Sequence, residues 1–504
     1  MPQLAACMGI VAKQSVRNAL VLSTGLVLGA VNTMYVLPKA FEGFEEGWGL
    51  LRILTAWGTI LAQIVALGSP SGIMRFLPKA GSADREASML STLVLFPTAF
   101  LMLLAGASTF AGPDVLAWLD ADAGWLLEGR IAAFLVMAGA YLAMMLLKAV
   151  LAHRMRTVAA TAIQEVWLKG SYLGLALAYL GGVMPFETFF RWFLYSYVAA
   201  VGFMFLEALS SGARLGRPAL KEDTKPMLEY GLFAFWNAGS LVVAKNLDFV
   251  MVGALLGLAV VPRYTFAFFI ATVVGMPLRA MGPILRSLTS KAVAQQGPEA
   301  SGPELKQSAR VQLAMTASLL AAIVVGLPTL DLALPENYQG LRWIVLAVGM
   351  AFVAEASGGT AGPILQFSSR YRLALPINLG LVVMTVVTNY VFMQVFGWGL
   401  LGAAVATGLT GVWNMGWRTV LMWRIFGIHP FSKGWFAVAG IALLVGLNPL
   451  VSDAPDVAQE LGAFGQVIMA VLRGGLAAGT VLVGSWLAGA LPELSHEVRK
   501  RLTL

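Results

Sequence analysis

Long apolar runs alternate with short polar connections along the whole chain. A helix that crosses a bilayer needs about 20 mostly apolar residues, and this pattern recurs about fourteen times here. The first six predicted spans cover residues 14–37, 48–70, 87–111, 131–151, 163–183 and 188–210. The next eight cover 227–256, 264–285, 311–330, 341–366, 373–396, 400–423, 434–451 and 466–491. The pattern predicts an all-α, polytopic membrane protein whose connections are too short to form an extramembrane domain.

The order of the spans predicts two six-helix lobes followed by a C-terminal helix pair. The predicted segments are an N-terminal lobe at 1–210, a cytoplasmic linker at 211–226, a C-terminal lobe at 227–432, and the last two spans with a cytoplasmic tail at 433–504. A short internal similarity supports a division into two repeated halves, because Leu-Gly-Ser-Pro at 67–70 resembles Val-Gly-Met-Pro at 274–277. Repeated halves with a site at their interface are a recurring design of transporters.

Composition excludes a water-soluble protein. Hydrophobic residues make up 58% of the chain and charged residues 12%, with a mean hydropathy of +0.78, whereas soluble domains are about one quarter charged. One cysteine and three widely spaced histidines predict no disulfide framework, no metal site and no cofactor. The first apolar run lacks a small-residue cleavage site, so we interpret it as a span rather than a signal peptide.

Basic residues mark one side of the predicted membrane. Most of the 34 Lys and Arg residues lie on every second connection, whereas the opposite side holds only Lys39, Arg130, Arg191, Arg263 and Arg342. Cytoplasmic connections are the ones enriched in Lys and Arg, so both termini are predicted to be cytoplasmic in a bacterial inner membrane. The net charge of +8 then reflects insertion and contact with anionic membrane lipids, and no nucleic-acid partner is expected.

Several segments carry a family resemblance. They are GLLRILTAWGTILAQIVALGSPSGIMRFLPK in the second span, KNLDFVMVGALLGLAVVPRYTFAFFIATVVGMPLRA in the seventh and eighth, and NYVFMQVFGWGLLGAAVATGL leading into the twelfth. In this order they resemble polysaccharide-export proteins of the multidrug/oligosaccharidyl-lipid/polysaccharide (MOP) exporter superfamily, which includes O-antigen and lipid II flippases. The resemblance implies two lobes around a central cavity and translocation of an isoprenoid-diphosphate-linked glycan. The extra helix pair resembles the lipid II and polysaccharide branches more than the drug exporters.

Charged residues within predicted spans and away from the connections are the candidate functional groups. The five cations not assigned to a connection are Arg52, Lys245, Arg279, Arg418 and Arg473. Intramembrane ions face protein or water, and Arg and Lys suit a diphosphate. We therefore predict substrate binding by Arg52, Lys245, Asn246, Arg279 and Arg473, and proton or sodium coupling by Asp248 and Glu355.

Each candidate also has a structural interpretation. Arg52 could snorkel to the outer surface, and Lys245 could simply neutralise Asp248, three residues away on one helix face. Arg279 and Arg418 lie near the cytoplasmic boundary, where basic residues usually anchor topology. Arg473 could bind a structural partner.

Glu355 precedes a run of glycines and a proline at 358–363. This run predicts a broken helix, and Glu355 could hydrogen-bond to the break instead of coupling an ion.

The sequence favours a transporter over an enzyme, working by alternating access on a lipid-linked glycan. A drug or cation antiporter of the same superfamily is the first alternative, and it would need an acidic, aromatic cavity. A glycan polymerase or ligase would need a large outward loop that the chain lacks. A membrane subunit of a polysaccharide secretion complex is a further alternative, and a polysaccharide polymerase or synthase is a possible partner.

Overall fold

The computed structural model describes residues 17, 18, 20–119, 130–218, 224–446 and 454–492. All regular elements in these ranges are helical. The chain divides into two compact units, Met1–Pro262 and Arg263–Leu504. The predicted tail from residue 493, the centre of the predicted linker and the end of the thirteenth span lie outside the described residues. The predicted lobe boundaries therefore stay predictions.

The described part of the first unit contains nine helices of at least eight residues. They are α1 (Leu20–Ala40), α2 (Glu45–Ala66), α3 (Ser69–Phe76), α4 (Ala83–Leu119), α5 (Ile131–His153), α6 (Leu168–Leu180), α7 (Phe186–Ser210), α8 (Thr224–Ala234) and α9 (Ser240–Leu256). A short helix at Thr157–Ala162 and a π-helical turn at Ile163–Trp167 lead into α6, and a second π-helical turn at Phe235–Gly239 joins α8 to α9.

The described part of the second unit contains nine further helices of at least seven residues. They are α10 (Val261–Val274), α11 (Met276–Gln296), α12 (Gly302–Asp331), α13 (Arg342–Ser357), α14 (Ala361–Phe367), α15 (Ala374–Tyr390), α16 (Gly399–Phe426), α17 (Lys433–Gly446) and α18 (Ala463–Leu487). The first two residues of α10 fall before the boundary between the units. The predicted break after Glu355 is confirmed, because α13 ends at Ser357 and Gly359 has a φ of +55°.

The all-α, multi-span architecture is confirmed, but the count of fourteen is not. Among the described residues, nine helices are long and apolar enough to cross a membrane, and two bent pairs raise the number to at most eleven. The bent pairs join α8 to α9 and α10 to α11. Helical segments also occupy the predicted fifth, twelfth and thirteenth spans, although they are not among these eleven.

Helix α2 lies at the centre of the first unit because small residues let its neighbours approach closely. A Cβ atom on Gly49 would lie 2.1 Å from the carbonyl oxygen of Leu258, and one on Gly253 would lie 2.0 Å from Ile53. Most of α2 is buried, against α5 on one side and α9 on the other. Glycine at helix interfaces is typical of membrane proteins, where tight packing replaces the hydrophobic effect.

The two similar segments at 67–70 and 274–277 both lie at helix breaks. Leu67 and Gly68 adopt left-handed conformations between α2 and α3, and Pro70 lies in the first turn of α3. In the second unit, α10 and α11 meet at Gly275 with a bend of 48°, and Pro277 lies in the first turn of α11. Proline suits a first helical turn because that position needs no backbone donor.

The core of the second unit forms around α12. A Cβ atom on Gly326 would lie 2.8 Å from the carbonyl oxygen of Ala470, and one on Gly474 would lie 2.7 Å from that of Ala322. These two contacts bring the backbones of α12 and α18 together along their length. Helices α13 and α17 pack on other faces of α12, so the C-terminal helices are part of this unit's core.

Candidate functional site

Arg52 is held in place by groups from two helices of the first unit. Its guanidinium carbon lies 3.6 Å from the centroid of the Phe249 ring on α9, and Nη1 donates a hydrogen bond to Oγ1 of Thr55 at 3.3 Å. The side chain is half-buried. The Gly49 and Gly253 contacts bring α2 and α9 close enough for this stacking. Arg52 therefore lies against protein, rather than simply extending away from α2.

Two tyrosines extend the polar environment of Arg52. The guanidinium interacts electrostatically with the phenol groups of Tyr172 and Tyr197. The Tyr197 hydroxyl lies 3.4 Å from that of Tyr141. Helices α2, α5, α6, α7 and α9 thus contribute to one cationic and aromatic region within the first unit, and none of the three tyrosines was among the predicted site residues.

Lys245, Asn246 and Asp248 share α9 but have different environments. Lys245 is exposed, whereas Asp248 is only 4% exposed. Asn246 is half-buried, and its amide nitrogen donates to the carbonyl oxygen of Val242 at 2.9 Å. The ammonium of Lys245 is therefore accessible to an anion, whereas the carboxylate of Asp248 is covered by protein.

Arg279 interacts with the bend between α10 and α11. Its Nη2 donates to the carbonyl oxygen of Thr272 in the last turn of α10, and the residue is exposed. Carbonyl groups at the end of a helix lack partners within the helix, and a basic side chain can satisfy them. The contact gives Arg279 a structural role at the break, and its predicted role in substrate binding stays a prediction.

Arg418 is the centre of a polar network in the second unit. Its Nε donates to Oδ1 of Asn414 at 3.2 Å, and its Nη2 donates to Oδ1 of Asn378 on α15 at 3.0 Å. It also interacts electrostatically with Glu355, which is exposed. A Cβ atom on Gly362 would lie 2.8 Å from Nη1 of Arg418. Arg418 thus links four helices next to the broken segment.

Arg473 connects α18 to α12. Its Nη1 donates to Oγ1 of the fully buried Thr329 at 2.6 Å. This bond continues the close contact that Gly326 and Gly474 make between the same helices. The geometry fits the structural alternative for Arg473, and its role in substrate binding stays a prediction.

A large apolar cavity occupies the second unit among α12, α13, α16 and α17. Its volume is about 820 Å³. Aliphatic and aromatic side chains form nearly all of its lining, with Ser357, Thr419 and His429 as polar exceptions. The lining runs along α12 from Leu313 to Val324, which is about 17 Å at 1.5 Å per residue. Within the described residues, no group of three or more His, Cys, Asp or Glu side chains could hold a metal ion.

The predicted site residues therefore fall into separate groups. Arg52 and the exposed part of α9 lie in the first unit, whereas Arg279, Glu355 and Arg473 occupy three different places in the second. Sequence reasoning missed the apolar cavity because its lining comes from four helices, and each lining residue alone is typical of a span. It also treated Arg418 as a topology anchor, although the asparagines on α15 and α16 were a visible signal of buried hydrogen bonding.

Solved structures show which fold this is. No family model and no curated protein matches the sequence. The lipid II flippase MurJ in an inward closed conformation has a TM-score of 0.67 over 93% of this chain and 98% of that chain, at 11% identity. An inward-facing multidrug resistance MATE family transporter of the MOP superfamily has a TM-score of 0.59 over 81% of this chain and 93% of that chain, at 14% identity. The predicted resemblance is confirmed at the level of the fold, which this chain shares with MOP exporters.

Proposed function

We propose that this chain, which has the fold of MOP exporters, is a flippase for an isoprenoid-diphosphate-linked oligosaccharide or polysaccharide precursor. The observation that carries the proposal is the apolar cavity of about 820 Å³ in the second unit. Small-molecule sites usually need several convergent polar groups to fix a ligand. A cavity lined almost entirely by hydrocarbon is suited to a lipid chain.

The cavity can hold part of a long hydrocarbon chain. Its lining extends for about 17 Å along α12, and α13, α16 and α17 provide the other walls. Moving a chain from the bilayer into this cavity gains little hydrophobic free energy, because lipid tails are as apolar as the lining. The cavity therefore selects a chain by shape and packing, and polar contacts with the headgroup must supply affinity for one lipid over another.

The first unit offers cationic groups for that headgroup. Arg52 is fixed by Phe249 and Thr55, and Lys245 is exposed on α9. A guanidinium can form two parallel hydrogen bonds to phosphate oxygens, and an ammonium acts as a point charge. We assign diphosphate recognition to these two residues, with Asn246 as a polar neighbour.

Translocation in this proposal follows alternating access in a bacterial inner membrane, with both termini in the cytoplasm. The headgroup needs a hydrated path because unsatisfied polar groups are costly in hydrocarbon, whereas the isoprenoid tail can remain in an apolar environment. The energy would come from a proton or sodium gradient or from the membrane potential. Asp248 and Glu355 would be the coupling groups for a proton or sodium ion. A polysaccharide polymerase or synthase would use the translocated lipid, and co-purification would identify it.

Filling the cavity tests the proposal directly. Gly416 lines the cavity, and no atom lies within 4 Å of a Cβ added to it, so Gly416→Phe can enter the open space without a clash at Cβ. Gly475 on α18 is equally open but does not line the cavity, so Gly475→Phe is the matched control. We expect reconstituted Gly416→Phe protein to flip a diphosphate-linked glycolipid at least about tenfold more slowly, with the control unchanged. Equal rates in both variants would argue against a tail site in the cavity.

A drug or cation antiporter is the second candidate, and the exposed carboxylate of Glu355 favours it. Glu355→Gln should then abolish proton-driven accumulation of a fluorescent organic cation in vesicles. Under the flippase proposal the wild-type chain moves no such cation. Deleting the gene should instead cause one lipid-linked glycan to accumulate in the cytoplasmic leaflet, and unchanged glycan export would refute the flippase assignment.

A further inference from the structure

A second cavity lies wholly within the first unit, between the helices α3, α5 and α8. Its volume is about 570 Å³. Nine residues line it: Pro70, Ser71, Met74, Arg75, Met145, Lys148, Ala149, Ala152 and Tyr230. Two of these described residues are basic and none is acidic. We call this cavity the basic pocket.

Arg75 is exposed and lies on one wall of the basic pocket, against the ring of Tyr230. Its guanidinium carbon lies 4.0 Å from the centroid of the Tyr230 ring, and Phe76 contacts the same ring edge-on at 5.8 Å. The helices that carry these groups are in backbone contact, because a Cβ atom on Gly68 would lie 2.0 Å from the carbonyl oxygen of Gly231. A stacked guanidinium keeps its N–H donors in a plane that suits two phosphate oxygens.

Lys148 supplies a second cation from α5. Its Nζ donates to Oε1 of Gln164 at 2.7 Å, which occupies one of its three donors and leaves two. Glu165 is the nearby acid, but its Oε2 lies 2.6 Å from Nζ of Lys169. Lys148 is therefore oriented by a neutral amide, and the neighbouring carboxylate of Glu165 is paired with Lys169.

The basic pocket is distant from Arg52 along the chain. Arg75 follows Arg52 by 23 residues of α2 and α3, or up to about 35 Å at 1.5 Å per residue. This upper limit is comparable with the thickness of the hydrocarbon core, about 30 Å. The distribution of basic residues predicts that Arg75 and Lys148 lie at the cytoplasmic end, opposite Arg52.

We propose that the basic pocket binds a phosphate group, either on the headgroup of an anionic lipid or free, at a site separate from Arg52. The basic pocket offers a phosphate the planar guanidinium of Arg75 and the ammonium of Lys148. The Ser71 hydroxyl and the ring of Tyr230 also line it. An anionic lipid would place its phosphate here while its tails remain in the bilayer. This binding does not depend on which cargo the chain transports.

Labelling of the wild-type chain tests the proposal without any substitution. The purified full-length protein in detergent is treated with a lysine-acetylating reagent, with added phosphatidylglycerol, phosphatidylcholine or inorganic pyrophosphate. Lys79 is exposed and does not line the pocket, so it is the internal reference. Phosphatidylglycerol or pyrophosphate should slow acetylation of Lys148 at least about threefold relative to Lys79. Protection by the lipid alone identifies a headgroup site, and protection by pyrophosphate alone identifies a site for free phosphate.

Variants provide the second arm of the test. Arg75→Gln and Lys148→Met should each retain the protecting ligand about tenfold less well, as measured by native mass spectrometry. Each variant loses one charge-assisted contact, and about 1.5 kcal/mol corresponds to this factor. Lys79→Met should retain it as the wild type does, because Lys79 is exposed and does not line the pocket. The proposal is overturned if Lys148 is not protected by any phosphate probe, or if Lys79 is protected equally.

Discussion

Replacing Arg52 with glutamine removes its charge while keeping a long polar side chain. Its cation–π contact with Phe249, at 3.6 Å, contributes about 0.5–2 kcal/mol. Glutamine can still bond to Thr55, and the Gly49 and Gly253 contacts between α2 and α9 are untouched. We therefore expect Arg52→Gln protein to fold, and the lost cation–π contact should cost about 0.5–2 kcal/mol of unfolding free energy.

Transport should change far more than stability. If Arg52 contacts the diphosphate, the lost charge-assisted hydrogen bond contributes about 1.5–3 kcal/mol, which corresponds to a ten- to roughly hundredfold lower transport efficiency. The assay measures initial flipping rates of a diphosphate-linked glycolipid in proteoliposomes over a range of substrate concentrations. Thermal unfolding in detergent is measured on the same samples, so that transport and folding are separated.

Phe249→Leu distinguishes a role of Arg52 in headgroup binding from a role in packing α2 against α9. This variant removes the ring that holds Arg52 but keeps the charge, so its transport should lie between that of the wild type and that of Arg52→Gln. A structural role for Arg52 would instead lower stability and transport in parallel in both variants. Wild-type transport by Arg52→Gln would refute the assignment of Arg52 to the headgroup site.

Three further substitutions test the packing and the polar network. Gly49→Ala should lower the yield of folded protein and its thermal stability, because its Cβ would lie 2.1 Å from the backbone oxygen of Leu258 and relief of such overpacking costs about 1–3 kcal/mol. Arg418→Met should destabilise the chain by about 1–3 kcal/mol, because the buried Oδ1 of Asn378 loses the hydrogen bond from the guanidinium. An unchanged melting temperature would exclude this network as a stabilising element. Arg473→Met should lower the melting temperature and leave flipping per folded molecule unchanged, whereas a selective loss of flipping would place Arg473 in the substrate site.

The sequence predicted those features of the fold that depend on local properties. A span is recognised by length and hydropathy within one segment, and the break after Glu355 was predicted from glycines and a proline within a few residues of it. The count was less secure, because segments such as Gly399–Phe426 contain glycines, tryptophans and polar residues that lower their mean hydropathy. The only sequence sign of two halves was the short similarity between 67–70 and 274–277. In the structure, these two segments form similar helix breaks.

The side-chain environments were harder to predict because they depend on partners far away in sequence. Arg52 stacks on Phe249, nearly 200 residues further along the chain. Lys245 and Asp248 were paired by their spacing, yet positions three residues apart differ by about 60° around a helix. That angle is enough to leave Lys245 exposed while Asp248 is buried. Spacing along one helix predicted proximity, but it could not predict which neighbouring helix covers each residue.

Under the proposed function, each unit offers a different chemistry to an amphiphilic cargo. The second unit offers a hydrocarbon cavity that a lipid chain enters with little gain over the bilayer, so it cannot by itself distinguish a glycolipid from an ordinary phospholipid. The first unit offers cations, which attract every anionic lipid but bind a diphosphate with more hydrogen bonds than a single phosphate. Under the proposed function, selectivity therefore comes from the headgroup, because the cavity accepts any lipid chain and a diphosphate gains more hydrogen bonds than a single phosphate. The antiporter alternative calls for carboxylates around a cationic ligand, and the cavity holds no carboxylate among its described lining residues.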